Sequence, residues 1–172
     1  MIEELENLKN EISEYVKNKG FGAWFYPEYE GVKSFFGTQD IFVVGLNPSS
    51  GNFPSKKDKQ LYDILKKERL ENIHITDFIK VRAKNKEVLD ILKNQELVEE
   101  QINFFRREID ILNPKIIIAF GLRCEKLLKD NFPKVKIERI KHYAYRYQGQ
   151  DDVFEEISKS LKKIKEIYKT SK

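Results

Sequence analysis

The chain has 172 residues, of which 40% are hydrophobic, so its length predicts one domain with a substantial core. Its 32 basic and 28 acidic residues give a formal net charge of +4, which attracts anions only weakly. The longest apolar run, residues 116–122, is far shorter than the ~18 residues that indicate a membrane span, and the acidic N-terminus lacks the pattern of a secretion signal. The sequence therefore predicts a single cytoplasmic domain, residues 1–172, that does not enter a membrane.

Cysteine and histidine are scarce in this chain. The single cysteine, Cys124, excludes an intramolecular disulfide, and with only two histidines no zinc or iron–sulfur spacing is present. No cofactor and no transition-metal site are expected, although counting alone leaves open a Mg²⁺ site made from scattered carboxylates. We expect a monomer.

The predicted elements begin with an amphipathic helix over residues 2–19, because apolar side chains recur there at three- and four-residue spacing and Gly20 follows. Residues 20–38 mix glycine with seven aromatic residues without a clear period, which indicates an irregular segment packed on the body. Short apolar runs predict four strands, at residues 41–46, 73–78, 116–120 and 135–140. Helical patterns cover residues 57–68, 96–112, 122–131 and 152–168.

The alternation of strands and helices indicates an α/β fold. The first and third strands are apolar on both faces, as a parallel sheet covered on both sides requires. We therefore predict a three-layer α/β/α sandwich with a central, mainly parallel four-stranded sheet. Ligands of such sheets bind beyond the carboxyl ends of the strands, which directs attention to residues 47–55, 79–86, 121 and 141–149.

Four motifs stand at or near the ends of these strands. They are GLNP at residues 45–48, ITDFIK at 75–80, NPK at 113–115 followed by IIIAFG, and His142. In this order they resemble the uracil-DNA glycosylase superfamily, in the form with a Gly-x-Asn-Pro first motif that the mismatch-specific and single-strand-selective branches carry. The resemblance spans residues 41 to about 165. It implies the fold already predicted, with DNA as the partner, and a metal-free hydrolysis of the N-glycosidic bond of a flipped-out base.

The resemblance implies two catalytic residues. Asn47 would orient the attacking water through its side-chain carbonyl, because a neutral amide cannot act as a base but can position a nucleophile. Taken alone, Asn47 is better explained as an asparagine held by local hydrogen bonds in a turn. His142 would donate a hydrogen bond to the base oxygen as negative charge develops there, whereas His74 lies in a strand and is interpreted as structural.

The substrate pocket would be formed mainly by the loop after the first strand. Phe53 is the candidate for stacking on the extruded base, an interaction worth ~1–3 kcal/mol. Phe53 could equally fill the core, with Tyr26 or Phe36 supplying the aromatic face. The implied substrate-binding residues are Gly45, Leu46, Pro48, Phe53 and Asp77.

DNA contacts are expected from three loops. Ser49 and Ser50 would contact a phosphate, or serve only the turn. The cations of residues 80–86 would form one wall of a DNA groove, or a solvated loop. The aromatic and basic loop after His142 would wedge into the base stack, or lie on the surface without a partner. The implied DNA-binding residues are Ser49, Ser50, Lys80, Arg82, Tyr143, Tyr145 and Arg146.

Two departures from the family pattern affect the function. Asp77 stands where a base-reading asparagine is expected, and an ionised carboxylate only accepts hydrogen bonds, whereas the edge of uracil shows one acceptor and one donor. Either Asp77 is protonated, or it points away, or the preferred base shows two donors, which brings in hypoxanthine and xanthine. His142-Tyr143-Ala144 also lacks the usual Pro-Ser.

The predicted function is therefore a DNA glycosylase acting on a deaminated base. Two alternatives remain from the sequence. One is a nucleic-acid-binding module of the same fold without cleavage. The other is a hydrolase of free nucleosides or nucleotides.

Overall fold

The computed structural model describes residues 1–143 and 150–169, and within them no side chain is described at residues 85, 86, 150–152, 168 and 169. Four strands form one sheet in the order β2-β1-β3-β4, with every neighbouring pair parallel. The strands are β1 (Ile41–Gly45), β2 (His74–Asp77), β3 (Ile116–Phe120) and β4 (Ile137–Ile140). The strand order reverses between β1 and β3, so a ligand crevice is expected at their carboxyl ends.

Helices cover both faces of the sheet. One face packs on α1, α3, α4 and α5 around side chains such as Phe42 and Val44, and the other packs on α2 and α6 around Val43 and Ile118. The helices are α1 (Ile2–Asn18), α2 (Lys56–Lys67), α3 (Asn85–Lys93), α4 (Gln95–Leu112), α5 (Leu122–Asn131) and α6 (Gln150–Lys169). This confirms the predicted three-layer α/β/α sandwich.

The predicted boundaries differ from the observed ones by a few residues, and one helix was missed. Helix α3 is only nine residues long and buries Val88 and Ile91. Asn94 follows its last residue and also caps α4, because the Asn94 side chain accepts a hydrogen bond from the backbone N–H of Leu97 at 3.1 Å. The two helices therefore meet without a loop that would mark the boundary in the sequence.

The segment between α1 and β1 is irregular, as predicted, apart from a 3₁₀ turn at Ser34–Phe36. Ala23 forms an antiparallel bridge with Val81, and the backbone N–H of Trp24 donates to the carbonyl of Lys80 at 3.2 Å. The bridge fixes this segment beside the loop that follows β2. Aromatic side chains from the N-terminal part of the chain thereby reach the carboxyl end of the sheet. No helix in the described ranges is long and apolar enough to cross a membrane.

Candidate functional site

A cleft of about 790 Å³ opens at the carboxyl ends of the strands. The loop after β1 supplies most of its lining, and the loops after β2, β3 and β4 each contribute side chains, as predicted. Trp24 and Tyr26 of the irregular segment complete the wall. The lining residues from these loops and from the adjoining ends of α2, β3 and α5 are 46–53, 55, 57, 58, 83, 84, 120–124, 142 and 143.

Asn47 lies half-buried in the cleft with its amide nitrogen fixed. Its Nδ2 donates to the backbone carbonyl of Pro48 at 3.0 Å and to that of Ala83 at 3.4 Å. Both amide hydrogens are therefore directed at main-chain oxygens, one in its own loop and one in the loop after β2. Within the described residues nothing donates to Oδ1, which leaves this oxygen as an acceptor for a water.

His142 also lines the cleft, on the loop after β4. Its ring stacks on that of Tyr143, with centroids 5.1 Å apart and planes 13° apart, and it packs against Phe120. Burial and, second, the nearby charge of Lys57 lower the pKa of His142 below its usual value. The imidazole is therefore neutral at pH 7, and a neutral imidazole has one N–H to donate.

Asp77 does not line the cleft, so the predicted direct contact with the base is wrong. Its side chain is 3% exposed and lies against Gly45, where a Cβ would stand 2.2 Å from Oδ1. Burial raises the pKa of Asp77 to about 7, although the charge of Lys80 opposes the shift. Gly45, predicted to bind substrate, is itself buried and instead makes room for this carboxyl group.

Lys80 was predicted to contact DNA, and this is wrong. The residue is fully buried, with Nζ 2.6 Å from Oε1 of Glu108 and 2.6 Å from Oγ1 of Thr76. Glu108 also contacts Nε2 of His74 at 3.1 Å, so His74 is structural as expected. The error arose because the run of cations at residues 80–86 is visible in the sequence, whereas the buried partner comes from α4, 28 positions further on.

Arg82 is exposed at the mouth of the cleft and holds the loop after β1. Its Nε donates to the carbonyl of Ser49 at 3.0 Å, and Nη2 donates to that of Gly51. Ser49 and Ser50 are exposed and line the cleft, and Leu46 and Pro48 line it beside Asn47. The DNA contacts of Arg82, Ser49 and Ser50 stay predictions.

The aromatic wall of the cleft is built around Trp24, which the sequence interpretation overlooked. Its ring packs against Tyr26 at 4.7 Å and against Phe53 at 5.8 Å between centroids, and all three side chains line the cleft. Phe36, the other candidate, packs in the core on the opposite face of the sheet. The aromatic richness of residues 20–38 was the available signal, but no period in that segment indicates which rings face a ligand.

Tyr143 was predicted to wedge into the base stack, and this is wrong for the described structure. It is 9% exposed, and its hydroxyl donates to Oδ1 of Asp58 at 3.0 Å. Tyr145 and Arg146 lie outside the described residues. The rim of the cleft instead carries Leu122, which is 66% exposed, followed by the exposed Arg123.

Positive charge predominates along the described lining. Lys57, Lys84 and Arg123 are its basic side chains, and Asp58 is its one acidic side chain. Helix α5 begins at this lining, where Gly121 provides no side-chain cap, so the N–H groups of its first turn add to the positive potential. The cleft therefore suits an anionic ligand such as a phosphodiester.

Among the described residues no group of three His, Cys, Asp or Glu side chains is placed to hold a metal ion. No protein-family model matches the chain, and no curated protein matches it. The assignment of function therefore depends on the motifs and on the geometry of the cleft.

Proposed function

We propose that this protein is a DNA glycosylase that hydrolyses the N-glycosidic bond of a flipped-out deaminated base. The observation that carries the proposal is the side chain of Asn47, whose nitrogen is fixed by two backbone carbonyls while its oxygen is left to hold a water in the cleft. A turn asparagine with only a structural role needs no partner in a second loop. The bond from Nδ2 to the carbonyl of Ala83 therefore favours a positioning role.

Asn47 acts by orientation in this reaction. The oxygen of the water bonds to C1′ of the deoxyribose as the C–N bond breaks, and the base leaves with the electron pair of that bond. The water releases one proton to solvent, and the anionic base takes one up. The sugar develops oxocarbenium-like charge, so the water needs little activation. Asn47 Oδ1 accepts one hydrogen of the water and holds its oxygen towards the sugar.

His142 stabilises the departing base. Negative charge grows on the base oxygen as the bond breaks, and a neutral imidazole donates a hydrogen bond to it without first carrying a charge of its own. Burial keeps the ring neutral, and stacking on Tyr143 fixes its plane. This role requires the proton on the ring nitrogen that faces the base.

The cleft has the dimensions and the lining for an extruded nucleotide. Its volume of about 790 Å³ lies within the range of small-molecule sites, and Trp24 and Phe53 offer aromatic surface for the base. Lys84 and Arg123, which line the cleft, would contact the flanking phosphates. Leu122, exposed on the rim, takes the position of the wedge that Tyr143 cannot occupy.

The decisive experiment compares wild type with Asn47→Ala on duplexes that carry uracil, hypoxanthine or xanthine. Heating in alkali cleaves the strand wherever a base has been released. We expect wild type to release at least one of these bases, and Asn47→Ala to release it at least 100-fold more slowly with nearly unchanged DNA affinity, because only the water is lost. Asn103→Ala, an exposed change on α4, is the matched control and should keep full activity.

No release by wild type from any of the three duplexes would overturn the proposal. Full activity in Asn47→Ala would leave the glycosylase intact but remove Asn47 from its mechanism.

A second candidate is a hydrolase of free nucleosides or nucleotides. The burial of Lys80 and Tyr143 favours it, because two predicted DNA contacts are lost from the surface. Release from deoxyuridine or deoxyinosine at rates equal to those on duplexes would support this candidate over the first. We further propose that the protein works as a monomer in the cytoplasm and without a cofactor.

A further inference from the structure

Trp24 lies in the wall of the cleft with an unused hydrogen-bond donor. Its side chain is half-buried and lines the cleft. The indole Nε1 donates to no acceptor among the described residues, and this nitrogen reaches solvent. An indole N–H only donates, and a tryptophan N–H that is withdrawn from the surface usually has a partner. The N–H of Trp24 is therefore available to a ligand in the cleft.

The surrounding residues hold the indole ring in place. The backbone N–H of Trp24 donates to the carbonyl of Lys80 at 3.2 Å, and the preceding residue, Ala23, forms a bridge with Val81. The ring packs against that of Tyr26, with centroids 4.7 Å apart and planes 70° apart. A donor whose position is fixed before binding loses little conformational entropy when it meets a ligand.

The orientation of Trp24 relative to Phe53 allows it to donate to a stacked base. The two ring centroids are 5.8 Å apart and the planes are 56° apart. A base that lies flat on Phe53 therefore meets Trp24 at a steep angle, and Nε1 lies on the edge of the indole ring. Phe53 supplies the stacking surface in this arrangement, and Trp24 adds a directed hydrogen bond.

The motif residues at the ends of β1 and β2 offer the base no donor. Both amide hydrogens of Asn47 go to backbone carbonyls, and Asp77 lies outside the cleft. Hydroxyl and amide side chains in the lining accept as well as donate, and its cations are suited to phosphate. Among the described lining residues, Trp24 is the neutral side chain that can only donate.

We propose that Trp24 is a specificity-determining residue that donates a hydrogen bond to the carbonyl oxygen created by deamination of the base. This inference rests on the proposed function. Cytosine and adenine carry an exocyclic amino group, which donates, and deamination replaces it with a carbonyl oxygen, which accepts. A side chain that can only donate favours the deaminated base, because the parent base would place two donors against each other. The oxygen has two lone pairs, so it can accept from Trp24 and from His142 together.

The first measurement observes the donor directly. Because Trp24 is the only tryptophan, its indole N–H gives a single resonance in a proton–nitrogen correlation spectrum. Wild type is titrated with uracil, cytosine, hypoxanthine and adenine as free bases, so binding is followed without any need for catalysis. We expect uracil and hypoxanthine to move the indole proton further downfield than cytosine and adenine do. Equal shifts within both pairs would overturn the proposal.

The second measurement removes the donor. Trp24→Phe keeps an aromatic ring but loses the N–H, and the shifts of backbone amides give its affinity for the same four bases. We expect wild type to prefer uracil over cytosine and hypoxanthine over adenine, and Trp24→Phe to reduce each preference about tenfold. The ring nitrogen that changes on deamination becomes a donor, so a donating side chain can favour the deaminated base only through the new oxygen.

Phe53→Leu is the matched control, because it removes aromatic surface from the same wall without removing a hydrogen-bond donor. It should weaken the binding of all four bases and leave both preferences at the wild-type level. Loss of the preferences in Phe53→Leu as well would assign the selectivity to stacking and contradict the role of Trp24.

The outcomes separate this inference from the proposed function. Unchanged preferences in Trp24→Phe, or no preference in wild type, overturn the role of Trp24 even if bases are released from duplexes. A preference that depends on Trp24, without release from any duplex, supports Trp24 and overturns the glycosylase. If Trp24→Phe does not fold, the indole shifts of wild type decide alone.

Discussion

Two polar networks lie on opposite faces of the sheet, and they differ in what surrounds them. On the α4 side, Glu108 contacts both Lys80 and His74 inside the core. On the cleft side, the hydroxyl of Tyr143 donates to Asp58, and both residues line the cleft. The first network is enclosed by the core and supports the fold. The second lies in the wall of a cleft, so its contribution to the fold is expected to be smaller.

The largest expected effect comes from breaking the network around Glu108 in the core. Glu108→Ala leaves the charge of Lys80 buried without its partner, which should lower the free energy of unfolding by about 3–5 kcal/mol. Chemical denaturation measures the loss. The exposed Glu99→Ala on the same helix should change stability by less than about 0.5 kcal/mol. A loss below about 1 kcal/mol in Glu108→Ala would mean that this network contributes little to the fold.

Asp77 is buried near the charges of Lys80 and Glu108 and provides the second prediction. Burial raises its pKa from 3.8 to about 7, so the folded protein holds this proton more tightly than the unfolded chain. The associated stability is present below about pH 4 and is lost as the pH rises to about 7. The total is about 4 kcal/mol, since one pKa unit corresponds to about 1.4 kcal/mol.

Asp77→Asn removes this titration. The stability of wild type relative to Asp77→Asn should therefore fall steadily between pH 4 and pH 7, as measured by denaturation at a series of pH values. The exposed Asp110→Asn is the control, and its stability should depend on pH in the same way as that of wild type. If the stability of Asp77→Asn also followed that of wild type at every pH, the carboxyl group of Asp77 would ionise normally in the folded protein.

The smallest effect is expected from removing the hydroxyl of Tyr143. Tyr143→Phe removes one hydrogen bond, the one to Asp58, so the free energy of unfolding should fall by only about 1 kcal/mol. Chemical denaturation measures the change. Unaltered stability would show that the bond to Asp58 contributes nothing to the fold.

The fold was predictable because its signals are local. The apolar runs of β1 and β3 reflect strands buried on both faces, and the periodic pattern of α1 reflects one buried face. Helix α3 was missed because it is short and shares Asn94 with the next helix. Its boundary depends on one capping side chain and not on a change in composition.

The site was predictable only for residues whose position is set by the loop in which they lie. Asn47 and His142 were placed correctly in the cleft because each follows directly from the end of a strand. Lys80 and Tyr143 were assigned to the surface although Glu108 and Asp58, both distant in sequence, hold them inside. Trp24 was overlooked because its place in the cleft depends on the bridge between Ala23 and Val81.

The hydrogen bonds between the loop after β1 and the loop after β2 have a consequence for protein engineering. Asn47 donates a hydrogen bond to the carbonyl of Ala83, and Arg82 donates hydrogen bonds to the carbonyls of Ser49 and Gly51. These bonds join two loops that are more than 30 positions apart in the chain. A chimera that exchanges one loop alone would lose one partner of each of these hydrogen bonds. Residues 45–51 and 82–83 therefore form the smallest unit that can be transplanted together.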